Sequence, residues 1–183
     1  MSTGAPALAA VLFDRDGTLI EDVPYNGDPD LVVPVAGARA AVRRIRDAGI
    51  PVGLVSNQSG IGRGFITHRD VVAVNRRLQE HLGKLDVCLY CPHSADAGCD
   101  CRKPAPGLVL IACEILRVDP AAVVVIGDTE ADVRAAHAAG ACGILVPNAV
   151  TRPDEVARAP LTADDLSAAV GLALARVGTG VRV

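Results

Sequence analysis

Asp14 and Asp16 stand one residue apart in the run FDRDGT (13–18), where an apolar stretch breaks at Gly17. A carboxylate in that position can attack an electrophile or hold a cation, and a second one beside it can move a proton. For any single Asp-Gly pair the ordinary reading is an Asx-turn with a solvated aspartate. Three further stretches carry reactive side chains. SNQSGIGRG (56–64) offers the Ser56 hydroxyl, amides and glycines to an anion, with Arg63 adding charge. Lys103 is set beside Pro104 just before an apolar segment, and Asp128 ends the run AAVVVIGD with Asp132 four residues on. Alone, the Gly-rich stretch is a turn, the lysine is solvated surface and Asp132 is a first-turn acid that complements a helix dipole. Together, carboxylate, hydroxyl, lysine and carboxylate on successive strand ends suit metal-assisted phosphoryl transfer through an aspartyl intermediate.

CPHSADAGCDCRKP (91–104) presents a second kind of chemistry in Cys91, His93, Cys99 and Cys101. Three cysteines and a histidine are a standard composition for a tetrahedral structural Zn2+ site, although the one-residue spacings are tighter than those of ordinary zinc fingers. Free or oxidised thiols are the alternative, and Cys99 and Cys101 are too close to pair comfortably with one another. A loop as polar as HSADAGCD has few side chains from which to build a core, and a metal can fix it where apolar burial cannot. The ligand set ends at Cys101 and the basic pair Arg102 and Lys103 follows at once. The loop at 91–101 is therefore expected to act as a staple that sets this pair at the reactive edge. Cys88, Cys113 and Cys142 lie in apolar stretches and read as small buried hydrophobes.

The elements that must position these groups alternate along the chain. Apolar, β-branched runs at 8–14, 51–57, 85–91, 121–128 and 142–147 predict strands. Amphipathic segments at 36–49, 68–83, 106–118, 129–140 and 162–177 predict helices, with Thr67 and Asp70 placed to form a capping box and 178–183 expected to fray. Continuous Val/Ile/Leu strands separated by helices argue for a parallel sheet covered on both faces. The expectation is one α/β domain over 1–183, a doubly wound Rossmann-like parallel sheet. Ligands of such folds bind beyond the carboxyl ends of the strands, where all four reactive stretches fall.

Composition narrows the rest. The chain of 183 residues carries a formal charge of -3, is 50% hydrophobic and only 2% aromatic, with no Trp. That balance gives no electrostatic footprint and no stacking platform for nucleic acid. No apolar run approaches a membrane span, and no basic residue precedes Arg15, which argues against a secretory signal. A cytoplasmic monomer acting on a small molecule is the expectation.

Asp14 to Asp132, taken in order, resembles the four motifs of the haloacid dehalogenase superfamily. The resemblance implies that Mg2+ is held by the side chains of Asp14 and Asp128 and by the backbone carbonyl of Asp16. It implies that Asp14 is the nucleophile, that Ser56 and Lys103 hold the transferring phosphoryl oxygens, and that Asp16 is the general acid and base. Members that do not transfer phosphoryl groups generally lack that second acid, so phosphatase chemistry is expected and dehalogenation is not. The stretches between motifs leave no room for a separate large cap domain. An inactive binding module would show a broken set, and this set is complete.

FDRDGTL, SNQSGIGRG, the Cys-Pro-His and Cys-Asp-Cys-Arg-Lys-Pro loop and GDTEAD are similar to the D-glycero-D-manno-heptose 1,7-bisphosphate 7-phosphatases. These serve the biosynthesis of nucleotide-activated heptose. The related histidinol-phosphate phosphatases share the first motif and the zinc loop but tend to carry an aspartate where Ser59 stands. By this resemblance Asp22, Tyr25, Asn57, Gln58, Ser59 and Arg102 contact the substrate. A histidinol-phosphate phosphatase, or a broader small-molecule phosphatase, is the alternative reading.

Overall fold

A computed structural model describes residues 7–176; the expected fraying at 178–183 lies outside them. Five strands form one parallel sheet: β1 (Ala10–Phe13), β2 (Val52–Asn57), β3 (Val87–Cys91), β4 (Val123–Gly127) and β5 (Cys142–Leu145). Their order across the sheet is β3-β2-β1-β4-β5. The crossovers are α1 (Ala38–Asp47), α2 (His68–Leu82), α3 (Gly107–Leu116) and α4 (Glu130–Ala138), followed by α5 (Pro153–Arg158) and α6 (Leu166–Ala175). A one-turn helix at Pro153–Arg158 was not expected from the sequence. It is short, opens on a proline and buries no residue, so it leaves no apolar period to read.

The two-residue alternation of a strand divides the core. Val11 and Phe13 of β1 and Val124 and Ile126 of β4 face a cluster built with α1, α2 and α6. Ala10 and Leu12, with Val123 and Val125, face a second cluster built with α3 and α4. Both faces are buried, which is why these strands read as unbroken apolar runs rather than alternating ones. Register then fixes the reactive edge. Phe13 is level with Leu54 on one side and Ile126 on the other. Asp14 therefore emerges between Val55 and Gly127, and its amide donates to the Ile126 carbonyl at 2.9 Å.

At the start of α2 the capping box is present. The Asp70 amide donates to Thr67 Oγ1 at 3.2 Å, and the Thr67 amide donates to Asp70 Oδ2 at 2.8 Å. Thr67 is exposed and Asp70 half-buried, and the box works through these hydrogen bonds. Thr67→Ala is expected to lower the unfolding free energy by about 1 kcal/mol in urea titration. An unchanged midpoint would show that α2 is held by packing without its cap.

Candidate active site

Lys103 is the hub of the site. It precedes α3, is 4% exposed, and its Nζ donates to Asp14 Oδ1 at 2.6 Å, Asp132 Oδ1 at 2.5 Å and the Val55 carbonyl at 2.8 Å. All three protons of the ammonium are thus used. The expectation placed Lys103 at a strand end. It lies instead in the loop beyond β3 and is seated by a two-point clasp from β2. Asn57 Nδ2 donates to the Lys103 carbonyl, and the Lys103 amide donates to Asn57 Oδ1, both at 3.0 Å.

The sequence alone reads Asp132 as a first-turn helix acid. Its place is in the charge cluster: 1% exposed, one oxygen on Lys103, the other accepting from the Thr129 hydroxyl at 2.6 Å and the Thr129 amide at 3.1 Å. The only sequence signal for this was its position one turn beyond Asp128 at the start of α4. Asp128 accepts from Thr18 Oγ1 at 3.0 Å and Asn148 Nδ2 at 2.8 Å, and its carbonyl accepts from Thr151 Oγ1 at 2.7 Å. No motif pointed to Asn148 or Thr151, which approach from a distant turn. Gly17 sits between them. Its φ is +77°, and a Cβ there would stand 2.5 Å from Asp128 Oδ2. Both the backbone conformation and the close approach require glycine.

Asp16 lies at the cleft. Its Oδ1 accepts from Arg15 Nε at 3.0 Å and its Oδ2 from Gln58 Nε2 at 2.8 Å; the same Gln58 nitrogen donates to Ser56 Oγ at 2.8 Å. A cavity of about 280 Å3 is lined by Asp16, Asp22, Tyr25, Asn57, Gln58 and Ser59 among others. Five of the six expected substrate residues therefore converge. Arg102 does not join them: it lines a different cavity with Ser94, Cys99 and Lys103, and its Nη1 is buried without a partner. Arg63 donates to the Tyr25 hydroxyl at 2.9 Å, and Tyr25 packs at 4.9 Å on Phe65 at the rim.

The Cys/His loop forms a compact knot. Cys91 Sγ is 3.6 Å from Cys99 Sγ and 3.3 Å from Cys101 Sγ, and Cys99 Sγ is 3.6 Å from Cys101 Sγ. His93 Nδ1 lies 3.5 Å from Cys91 Sγ and 3.3 Å from Cys101 Sγ. No disulfide joins them. Around a cation held at about 2.3 Å by sulfur and 2.0 Å by nitrogen, a tetrahedron has edges of about 3.5–3.8 Å, close to those seen. Burial and the two neighbouring thiols push Cys101 up to about 12. Cys99 moves the other way, down to about 7, because its desolvation is outweighed by hydrogen bonds with the Arg102 backbone and the Cys101 and Cys91 thiols.

The acidic cluster is crowded as well. Burial pushes Asp14 up to about 8, with Lys103 opposing and Asp132, Asp128 and Asp16 adding to the rise. Burial and then Asp132 push Asp128 up to about 6. Burial alone would lower Lys103, but Asp132 and Asp14 outweigh it and hold the amine protonated, above its usual value. Oxygens of Asp14, Asp128 and Asp132 lie within 4.8 Å of one another. Asp14 and Asp128, the pair expected from the sequence, are among these three carboxylates, which lie close enough together to share a hard cation.

The HAD-hydrolase-like family model matches residues 100–180 of the chain. The D-glycero-beta-D-manno-heptose-1,7-bisphosphate 7-phosphatase of Pseudomonas putida is 35% identical over 166 residues, which cover 86% of this chain and 95% of that protein. The enzyme of the same name from Rhodopseudomonas palustris is 34% identical over 154 residues, 78% of this chain and 86% of that one. Among solved structures, the D,D-heptose 1,7-bisphosphate phosphatase of B. bronchiseptica, complexed with magnesium and phosphate, aligns with a TM-score of 0.80 at 30% identity. That alignment covers 92% of this chain and 99% of that one. The chain belongs to the heptose-1,7-bisphosphate 7-phosphatase family of HAD-like hydrolases.

Asp14 and Asp128 have folded pKa values above their unfolded value of 3.8. Their contribution to stability is therefore full below that value and is lost as pH rises through about 6 and about 8. A divalent cation that binds the ionised pair opposes this loss. In thermal unfolding, the rise in Tm produced by saturating Mg2+ is expected to grow between pH 5 and pH 8. An increment independent of pH would show that the cation does not bind at these carboxylates.

Proposed function

We propose that this chain removes the C7 phosphate of D-glycero-D-manno-heptose 1,7-bisphosphate through an aspartyl phosphate on Asp14. The observation that carries the reading is the meeting of Asp14, Asp128, Lys103 and Asp16 at one sheet edge, beside the cavity lined by Asp22, Tyr25, Gln58 and Ser59. Asp14 is the nucleophile. One of its oxygens bonds to phosphorus as the bond from phosphorus to the C7 oxygen breaks. Asp16 gives its proton to that leaving oxygen, then takes a proton from the water that cleaves the aspartyl phosphate, which restores the Asp14 carboxylate and the protonated Asp16. Lys103 and Ser56 hold the equatorial oxygens, where charge is spread in the transition state. Mg2+, held by Asp14, Asp128 and the Asp16 carbonyl, would neutralise the repulsion between an anionic nucleophile and an anionic phosphate. The negative excess of the cluster supports that assignment.

Arg102 is the residue for the second phosphate. Its partnerless Nη1 and its place beside Lys103 suit a guanidinium that recognises an anion in two-point fashion. Asn57 lines the cavity and in addition seats Lys103, since both ends of its amide bond to the Lys103 backbone. Zn2+ on Cys91, His93, Cys99 and Cys101 would supply rigidity to a loop with little apolar burial of its own. That loop is backed by α3: the Gly107 amide donates to the Asp100 carbonyl at 3.0 Å, and a Cβ on Gly107 would stand 2.3 Å from that oxygen.

With Mg2+ present, kcat/KM for the heptose bisphosphate is expected to exceed that for histidinol phosphate by about a hundredfold or more. The reverse preference would replace the substrate and leave the catalytic assignments standing. Asp14→Asn is expected to cost about a thousandfold or more in kcat with the fold intact by circular dichroism. Retained turnover would remove the aspartyl phosphate from the mechanism.

Cys99→Ser is expected to lose one equivalent of zinc in elemental analysis and to lower kcat/KM about tenfold, by loosening the loop that leads into Lys103. An unchanged zinc content would show that the knot is not a metal site.

A further inference from the structure

Arg15 is the largest side chain fully sealed in the described residues, 1% exposed, and it stands between the two aspartates of FDRDGT. Burying a guanidinium is expensive, and a buried ion pair adds little net stability for that cost. What the side chain holds therefore matters more than what it contributes to the core. Its Nε donates to Asp16 Oδ1 and its Nη1 donates to Asn75 Oδ1, both at 3.0 Å. Asn75 is itself buried, in the middle of α2, and its carbonyl accepts from the Gln79 side chain at 3.4 Å. A strut thus runs from α2 through Arg15 to one oxygen of Asp16. The other oxygen, Oδ2, accepts from Gln58, and both Asp16 and Gln58 line the cavity.

We propose that Arg15 is the positioning residue for Asp16: anchored by Asn75, it occupies Oδ1 throughout the cycle and leaves Oδ2 as the oxygen that exchanges a proton with the leaving group. The inference rests on the proposed phosphatase function and goes beyond it by assigning the working oxygen and the group that selects it. An arginine suits this task because it only donates and stays charged at every working pH. Its bond to Oδ1 persists whether Asp16 is protonated or not. In the first step Oδ2–H gives its proton to the departing alkoxide, which leaves as the alcohol. In the second, Oδ2 takes a proton from the attacking water, and Asp16 is neutral again for the next turnover. Arg15 gains and loses nothing in either step.

The test separates positioning from simple support of the fold. An alkoxide needs a proton to leave, whereas p-nitrophenolate leaves without one. For both substrates kcat/KM reports the phosphorylation of Asp14. Arg15→Lys keeps the charge and loses the planar fork, and Asn75→Ala removes the anchor without touching Asp16. Each variant is expected to lose about tenfold to a hundredfold in kcat/KM on the sugar phosphate and about twofold or less on p-nitrophenyl phosphate. Equal losses on the two substrates would overturn the proposal, because damage to the fold or to the nucleophile affects both. If Arg15→Lys does not fold, Asn75→Ala carries the same comparison. A wild-type protein that releases phosphate from neither substrate would sink the phosphatase reading, and the inference with it. A wild-type protein active on both, with variants that match it on both, would sink the inference alone.

Discussion

Everything at the carboxyl edge of the sheet depends on one buried ammonium. Lys103 has every proton engaged, on Asp14, Asp132 and the Val55 carbonyl. These partners come from the end of β1, the start of α4 and the interior of β2. A buried charge without partners would cost several kcal/mol, so the cluster forms complete or not at all. The central position of β1, between β2 and β4, makes this possible. Two neighbours in register bring Val55 and Gly127 level with Asp14, and a lysine arriving from the β3 side can reach across all of them.

How that lysine arrives is a matter of backbone more than of side chains. The loop that carries it has four metal-type ligands and little apolar mass. It is tied at both ends to its neighbours. The Gln58 amide donates to the Cys91 carbonyl at 2.8 Å and the Gly62 amide to the Pro92 carbonyl at 2.9 Å, while the start of α3 closes on Asp100. The Asn57 clasp completes the connection. The loop after β2, which contributes Gln58 and Ser59 to the cavity, and the loop that delivers Lys103 are consequently one mechanical unit. The knot and the cavity meet directly where the Gln58 amide donates to the Cys91 carbonyl.

Strand periods and motif order made much of this legible in the sequence. Five strands, their helices, the capping box at Thr67 and the convergence of Asp14, Asp128 and Lys103 all follow from local signals. Less legible was anything that needs a partner from far along the chain. Asn148 and Thr151 hold Asp128 from a turn with no motif, and Asn75 meets Arg15 from the buried face of α2, where an asparagine looks like an ordinary polar interruption. Asp132 was visible but ambiguous, because a first-turn acid has a sufficient local explanation in its cap. Asn57 has a second task that the sequence does not show: it lines the cavity, and its amide also clasps the Lys103 backbone at both ends. Arg102 was expected with the other substrate groups, yet it lines a separate cavity together with Lys103.

The two aspartates of FDRDGT illustrate how one short run produces opposite chemistry. Asp14 is sealed among carboxylates and answers to Lys103 and to whatever cation balances the cluster. Asp16, two residues on, turns out toward the cavity because Gly17 lets the chain reverse there and because Arg15 holds one of its oxygens from behind. A nucleophile needs its charge compensated and its lone pair directed, while an acid and base needs one oxygen fixed and the other free to gain and lose a proton. With Asp14 as the proposed nucleophile and Asp16 as the proposed acid and base, the buried ammonium would meet the first requirement and the buried guanidinium the second. Exchanging their places would fail on both counts: a lysine lacks the fork that spans Asp16 and Asn75, and an arginine cannot present three protons to three partners converging on one atom.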